Sequence, residues 1–175
     1  GDGARVLVGR ALAAAGRPGT PTAVARFLAI YDTRLLDRTR PYDGLPDIVR
    51  AAREHARVAV LTNKPLDATE KILAGLGLRD LFDDVIGGDG PLPRKPDPAG
   101  LRAAMERAGV TPARALMVGD SRIDYETAKG ASARCCLVSY GFGYHTLEGV
   151  PTGDASIAAD ASALAEVIAR FVATG

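Results

Sequence analysis

The stretch Ala115-Leu-Met-Val-Gly-Asp120-Ser-Arg-Ile-Asp124 constrains the fold more than any other part of the chain. Its short apolar run reads as a buried strand, and Gly119 lets the chain turn sharply where that strand ends. Two carboxylates then follow, four residues apart. Asp120 falls at the C-terminal lip of a parallel strand, where open α/β sheets bind their ligands. If the next residues begin a helix, Asp124 lies one turn on, and both carboxylates can face one small site. Paired carboxylates on a rigid lip suit Mg²⁺, a hard cation that takes oxygen ligands and keeps several of its waters.

The chain around this stretch alternates strand and helix. The first segment reads as a helix ending at Gly16-Arg17-Pro18-Gly19. A second helix starts near Thr20-Pro21, with Val24, Phe27, Leu28, Tyr31 and Leu35 on one face. Residues 1–40 are therefore expected to form a partial helical cap, and the breaker-rich 41–46 a hinge. Residues 47–175 then read as the core. Expected there are helix 47–55, strand 58–62, helix 67–76, strand 85–87, helix 99–108, strand 115–119, helix 124–129, strand 135–139, strand 156–158 and helix 161–172. That order predicts an α/β fold, a Rossmann-like parallel sheet with helices on both faces.

Composition excludes little but directs the reading. At 175 residues the chain fits one domain, or one domain with a small lobe. The formal net charge of +1, without a basic block, points away from nucleic acid as a partner. No apolar run reaches membrane-spanning length, so no membrane partner is expected and a cytoplasmic location is. The two cysteines, Cys135 and Cys136, are adjacent within an apolar run. They read as reduced, buried small hydrophobes, since a disulfide between neighbours strains the backbone.

Two other strand ends carry polar groups that can join the paired acids. Thr62 and Asn63 follow the apolar run of the first expected strand, and their hydroxyl and amide can hydrogen-bond phosphoryl oxygens. Lys95, in Arg94-Lys-Pro-Asp-Pro98, is flanked by prolines that restrict the loop and can aim its ammonium inward. A fixed cation beside a transferring phosphoryl group offsets its charge. Each element alone has an ordinary explanation: a turn, a solvated lysine, a helix N-cap. Hydroxyl or amide, lysine, then paired acids, all at strand ends, together describe a phosphoryl-handling site.

Leu61-Thr-Asn-Lys-Pro65, Lys95-Pro-Asp-Pro98 and Gly119-Asp-Ser-Arg-Ile-Asp124 resemble the second, third and fourth motifs of the haloacid dehalogenase superfamily. The match is best with its phosphoglycolate-phosphatase-like branch. Gly1-Asp-Gly-Ala-Arg-Val-Leu-Val resembles that branch's helical cap, Tyr140-Gly-Phe-Gly143 its loop after the next strand, and Ser132 stands where many relatives have glycine. The resemblance implies Thr62 and Asn63 holding phosphoryl oxygens, and Lys95 stabilising nucleophile and phosphate. It implies Mg²⁺ as cofactor, with Asp120 as ligand and Asp124 completing or supporting the metal shell. The substrate it implies is a small phosphorylated metabolite such as 2-phosphoglycolate.

One motif of that family is absent. Its reaction starts with an Asp attacking phosphorus, and a second Asp two residues later serves as general acid and base. The chain has no Asp-x-Asp: Asp2 has no strand before it, and Asp89 follows a different strand. The resemblance implies a central first strand lying outside this chain, between the strands ending at Thr62 and Gly119. A catalytically inactive module that binds phosphate and Mg²⁺, and a phosphomutase of the same superfamily, remain as alternatives. Arg5, Arg10, Arg26 and Arg34 of the cap can meet a substrate carboxylate or be solvated helix faces. Oligomeric state is open.

Overall fold

A computed structural model describes residues 3–174, so Asp2 lies outside the described residues. The helices are α1 (Ala4–Ala14), α2 (Pro21–Asp32), α3 (Leu45–Arg53), α4 (Leu66–Gly75), α5 (Ala99–Ala108), α6 (Arg122–Gly130) and α7 (Ala161–Ala173). The strands are β1 (Ala59–Leu61), β2 (Asp84–Ile86), β3 (Leu116–Gly119), β4 (Arg134–Val138) and β5 (Ser156–Ala158). All pairings are parallel, as the strand–helix alternation requires. They fall into two sheets, β1-β2 and β3-β4-β5. Among the described residues β1 and β3 are thus each paired on one side only. Val118 on β3 remains 39% exposed although it is apolar.

Helices cover both faces, and β4 shows how. Cys135 and Leu137 point into a core with Leu101 and Met105 of α5, Met117 of β3, and Tyr125 and Ala128 of α6. Cys136 and Val138 point the other way, to Leu164 and Val167 of α7, with Leu45 and Ile48 of α3 packed alongside. Leu61 of β1 packs against the first core, so apolar contact joins the sheets that share no strand pairing. A third cluster, Leu35, Ala68 and Ile72 with Tyr31 and Leu76, seats the end of α2 and the turn after it on α4. No helix among the described residues is long and apolar enough to cross a membrane.

Helix starts follow their caps. Thr20 accepts from the Ala23 amide at 3.2 Å, and Asp160 from Ala163 at 2.8 Å, fixing the first turns of α2 and α7. Two helices begin two residues earlier than periodicity suggests. Pro46 fits the first turn of α3, which starts at Leu45, because proline's missing N–H is unpaired there anyway. In α6 the N-cap is Ser121, so Asp124 is the third helical residue rather than the first. Ser132, just past α6, adopts φ 58°, a left-handed conformation that favours glycine.

Candidate active site

Three loops at the carboxyl ends of β1, β2 and β3 are linked by a continuous run of polar contacts. After β1, Thr62 extends the pairing with β2 by donating its amide to Ile86 O at 3.0 Å, and its hydroxyl accepts from the Lys64 amide at 3.1 Å. Asn63 is buried at 6% exposure. Its side-chain Nδ2 donates to Lys95 O at 2.9 Å, and its Oδ1 accepts from Lys95 N at 2.8 Å. The amide expected to face phosphoryl oxygens therefore holds the neighbouring loop. Asn63 reaches Lys95 because the chain must turn back at Lys64-Pro65, which puts its short side chain beside that loop.

Lys95 carries the run onward. Its Nζ donates to Asp124 Oδ1 at 2.7 Å, with only 13% of the lysine and 9% of the aspartate side chain exposed. The other oxygen, Oδ2, accepts from Asp120 N and Ser121 N, both at 3.1 Å, and from Ser121 Oγ at 2.7 Å. Burial pushes the Asp124 carboxyl up, but the Lys95 charge, its hydrogen bond and those of Ser121 and the Asp120 amide outweigh it. The net result lies below the ordinary carboxylate value. Asp124 thus caps α6 and anchors Lys95 at once.

Asp120 faces the loop after β4. Its Oδ2 accepts from Gly143 N at 2.9 Å. A Cβ on Gly141 would lie 2.2 Å from the Asp120 Cβ, so the loop can approach this closely only with glycine there. Between the glycines, Phe142 is 90% exposed and tilts over Tyr42, 6.3 Å between ring centroids. Tyr42 meets Tyr140 edge-on at 5.2 Å. Lys64 Nζ donates to the Tyr31 hydroxyl and sits over its ring, placing α2 beside the turn after β1.

No cluster of three or more His, Cys, Asp or Glu side chains able to hold a metal occurs among the described residues. Mg²⁺ needs fewer, being held by one or two carboxylates with waters and substrate oxygens completing the octahedron. The Asp120 carboxylate fits that donor set, whereas both oxygens of Asp124 are engaged by Lys95, Ser121 and the Asp120 amide. A groove of about 440 Å³ between α3 and α7, lined mostly by apolar residues such as Ile48, Ala52, Ile168 and Val172 with Glu54 and His55 at its wall, includes neither Lys95 nor Asp120 nor Asp124.

The structure brings Asn63, Lys95, Asp124 and the Asp120 backbone into direct contact, with Thr62 adjacent to Asn63. Sequence reasoning offered Asp120 or Ser121 as a helix cap but missed the hydrogen bonding of Ser121 to Asp124, the Gly143 amide, and the pairing of Lys64 with Tyr31. The spacing Ser121-x-x-Asp124 is a capping-box pattern and signals the first of these. Nothing local in sequence signals the other two, which join residues 23 and 33 positions apart. Arg5, Arg10, Arg26 and Arg34 are all exposed.

This parallel α/β core carries polar strand lips linked through Asn63, Lys95, Asp124 and the Asp120 backbone. The haloacid dehalogenase-like hydrolase family model matches residues 2–132, and the chain belongs to that family. A phosphoglycolate phosphatase of Rhodospirillum rubrum is 43% identical over 151 residues, covering 81% of this chain and 63% of that protein. Phosphoglycolate phosphatase 1 of Pseudomonas aeruginosa is 40% identical over 152 residues, covering 82% and 55%. The chain thus spans less than two thirds of the length of these two relatives. Among solved structures, a predicted phosphoglycolate phosphatase from Haemophilus somnus 129pt superposes with a TM-score of 0.84 at 27% identity. That match covers 95% of this chain and 78% of the other.

Proposed function

We propose that the site serves Mg²⁺-dependent hydrolysis of a small phosphomonoester of the 2-phosphoglycolate kind, through an aspartyl-phosphate. The observation that carries this reading is the Lys95–Asp124 ion pair. It sets the Lys95 ammonium against the Asp124 carboxylate, four residues from Asp120, so that a cation and an acidic pair stand together as binding a phosphoryl group and its counter-ion needs. The relatives named as phosphoglycolate phosphatases support the substrate class. In this reading Asp120 holds the metal, and Asp124 supports it from behind while fixing Lys95. Bound Mg²⁺ supplies charge neutralisation at the phosphoryl oxygens. The Lys95 ammonium takes part of the same charge, and the Thr62 hydroxyl donates to a phosphoryl oxygen.

The attacking carboxylate belongs, by the family pattern, to an Asp-x-Asp segment that the 175 residues do not contain. The one-sided pairing of β1 and β3 supports a place for that segment between them. Residues 1–40 act in this reading as a cap over the lips and 41–46 as its hinge, with the Lys64–Tyr31 contact where cap meets core.

The test is p-nitrophenyl phosphate hydrolysis with and without Mg²⁺. It compares the chain alone with the chain fused at its N terminus to the corresponding segment of the Rhodospirillum rubrum relative. Turnover is expected only in the fusion, only with Mg²⁺, and is lost in Asp120→Asn. Fusion activity indifferent to Mg²⁺ and to Asp120→Asn would overturn the metal assignment. A fusion that is folded, shows no turnover and still binds phosphate would favour a non-catalytic module.

A further inference from the structure

The contact between Asn63 and Lys95 has an unusual form. A side-chain amide offers one donor and one acceptor in the same plane and spacing as a peptide group, and asparagine carries it on the shortest stem. Asn63 uses both, on the N–H and the C=O of a single residue 32 positions away, at 2.8 and 2.9 Å. It stands in for a partner strand where none runs. The surrounding backbone is fitted to this arrangement: a Cβ on Gly88 would lie 2.3 Å from Asn63 O, and Arg94 Nε donates to Gly88 O at 2.5 Å. Asn63 is itself buried, and the residue it grips is the one whose Nζ meets Asp124.

From this we infer that Asn63 is a positioning residue whose side-chain amide clamps the Lys95 backbone and so aims the Lys95 ammonium at Asp124 and the phosphoryl site. The catalytic sense of the clamp rests on the function proposed above; the clamp itself rests on the two hydrogen bonds. Lysine has four rotatable side-chain bonds, so its ammonium stays at one place only if its backbone is held. The 94–98 loop lies outside any strand, and Asn63 ties it to the end of β1. Asp124 ties the tip of the same side chain to the start of α6. Backbone and head group are thus fixed from the two separate sheets. Losing the first tie frees the loop and weakens the second, even though Asn63 and Asp124 form no direct hydrogen bond.

Two measurements on the whole chain test this. The first is residue-resolved amine labelling by mass spectrometry, comparing Lys95 with the exposed Lys71. In Asn63→Ala, Lys95 should label about ten- to a hundredfold faster, the population change that loss of two hydrogen bonds of ordinary net strength produces. Lys71 should be unaffected. Equal acceleration of both lysines would mean general loosening, and no acceleration would mean no clamp; either overturns the inference. If Asn63→Ala does not fold, Asn63→Ser, which keeps one short polar arm, is read in the same way.

The second measurement is inorganic phosphate affinity by titration calorimetry in the presence of Mg²⁺. Asn63→Ala should weaken binding roughly tenfold, and should add nothing once Lys95→Met is present. Phosphate binding that survives Asn63→Ala undiminished would overturn the positioning role. If the unaltered chain binds no phosphate, the same titration is read in the N-terminal fusion; no binding there while the labelling result holds means that the proposed function fails and the clamp stands.

Discussion

Replacing Lys95 with methionine is the sharpest energetic test of the site, because it removes one member of a largely buried ion pair and leaves the other. The Asp124 side chain is 9% exposed and the Lys95 side chain 13%, so little solvent screens the pair. Breaking a buried pair by deleting one partner costs about 3–5 kcal/mol, most of it the penalty of a charge left without its counterpart. Asp124 Oδ2 keeps two backbone amides and the Ser121 hydroxyl, which places the loss toward about 3 kcal/mol. With a urea dependence of about 2 kcal/mol/M for a protein of this size, the midpoint should fall by about 1.5 M. The pH dependence has a definite sign. The Asp124 carboxyl lies below its ordinary value of 3.8 in the folded chain: burial raises it, and Lys95 leads the opposing causes. The pair's contribution is therefore fully present above that ordinary value and is lost as pH falls through the lower folded one. Lys95→Met leaves burial dominant, so its carboxyl protonates earlier and the gap to the parent protein narrows in acid. Urea unfolding followed by circular dichroism at pH 7 and pH 4, with a chelator present, measures both effects. A midpoint lowered by less than about 0.3 M at pH 7, or a gap that does not change with pH, would refute the reasoning. Lys95→Met/Asp124→Asn, which removes the stranded charge, should recover part of the loss.

Gly141→Ala drives a methyl group to within 2.2 Å of Asp120 Cβ, and should cost about 1–3 kcal/mol. In the active fusion it should abolish the Mg²⁺ response while leaving the fold recognisable by circular dichroism. Ser132→Gly relieves a left-handed serine at φ 58° and should stabilise the chain by up to about 1 kcal/mol, read as a higher melting temperature. The Cys135 thiol is pushed up from 9.0 to about 12, chiefly by burial, with the Cys136, Asp124 and Asp154 charges adding to it. Stability it contributes is fully present below pH 9 and lost as pH rises toward 12. Native Cys135 should accordingly resist iodoacetamide until the chain is unfolded.

The parallel sheet and its two helical layers were legible because strand and helix periods differ and the chain alternates them cleanly. The sites at Thr62, Lys95 and Asp120 stood out because each follows an apolar run at a turn, where a ligand can be met. The α6 start was misplaced by two residues because the helix was read from Asp124, whereas Ser121 is the N-cap and Asp124, already the third helical residue, folds back onto it. The use of Asn63 was not legible. An amide after a strand offers the same donors and acceptors to a phosphate or to a backbone, and only the arrival of the 94–98 loop decides between them. The contacts between Lys64 and Tyr31, and between Tyr42 and Tyr140, join α2 and the segment before α3 to loops after β1 and β4, and no local pattern encodes such meetings.

Because successive side chains of β4 face opposite ways, its neighbouring sulfur atoms belong to different compartments. One is enclosed beneath α5 and α6, the other beneath α7. A mild oxidant therefore cannot couple them without pulling one out of its layer. Two cysteines adjacent in the chain are sealed off from each other by the sheet that contains them, and their thiol chemistry should begin only after unfolding.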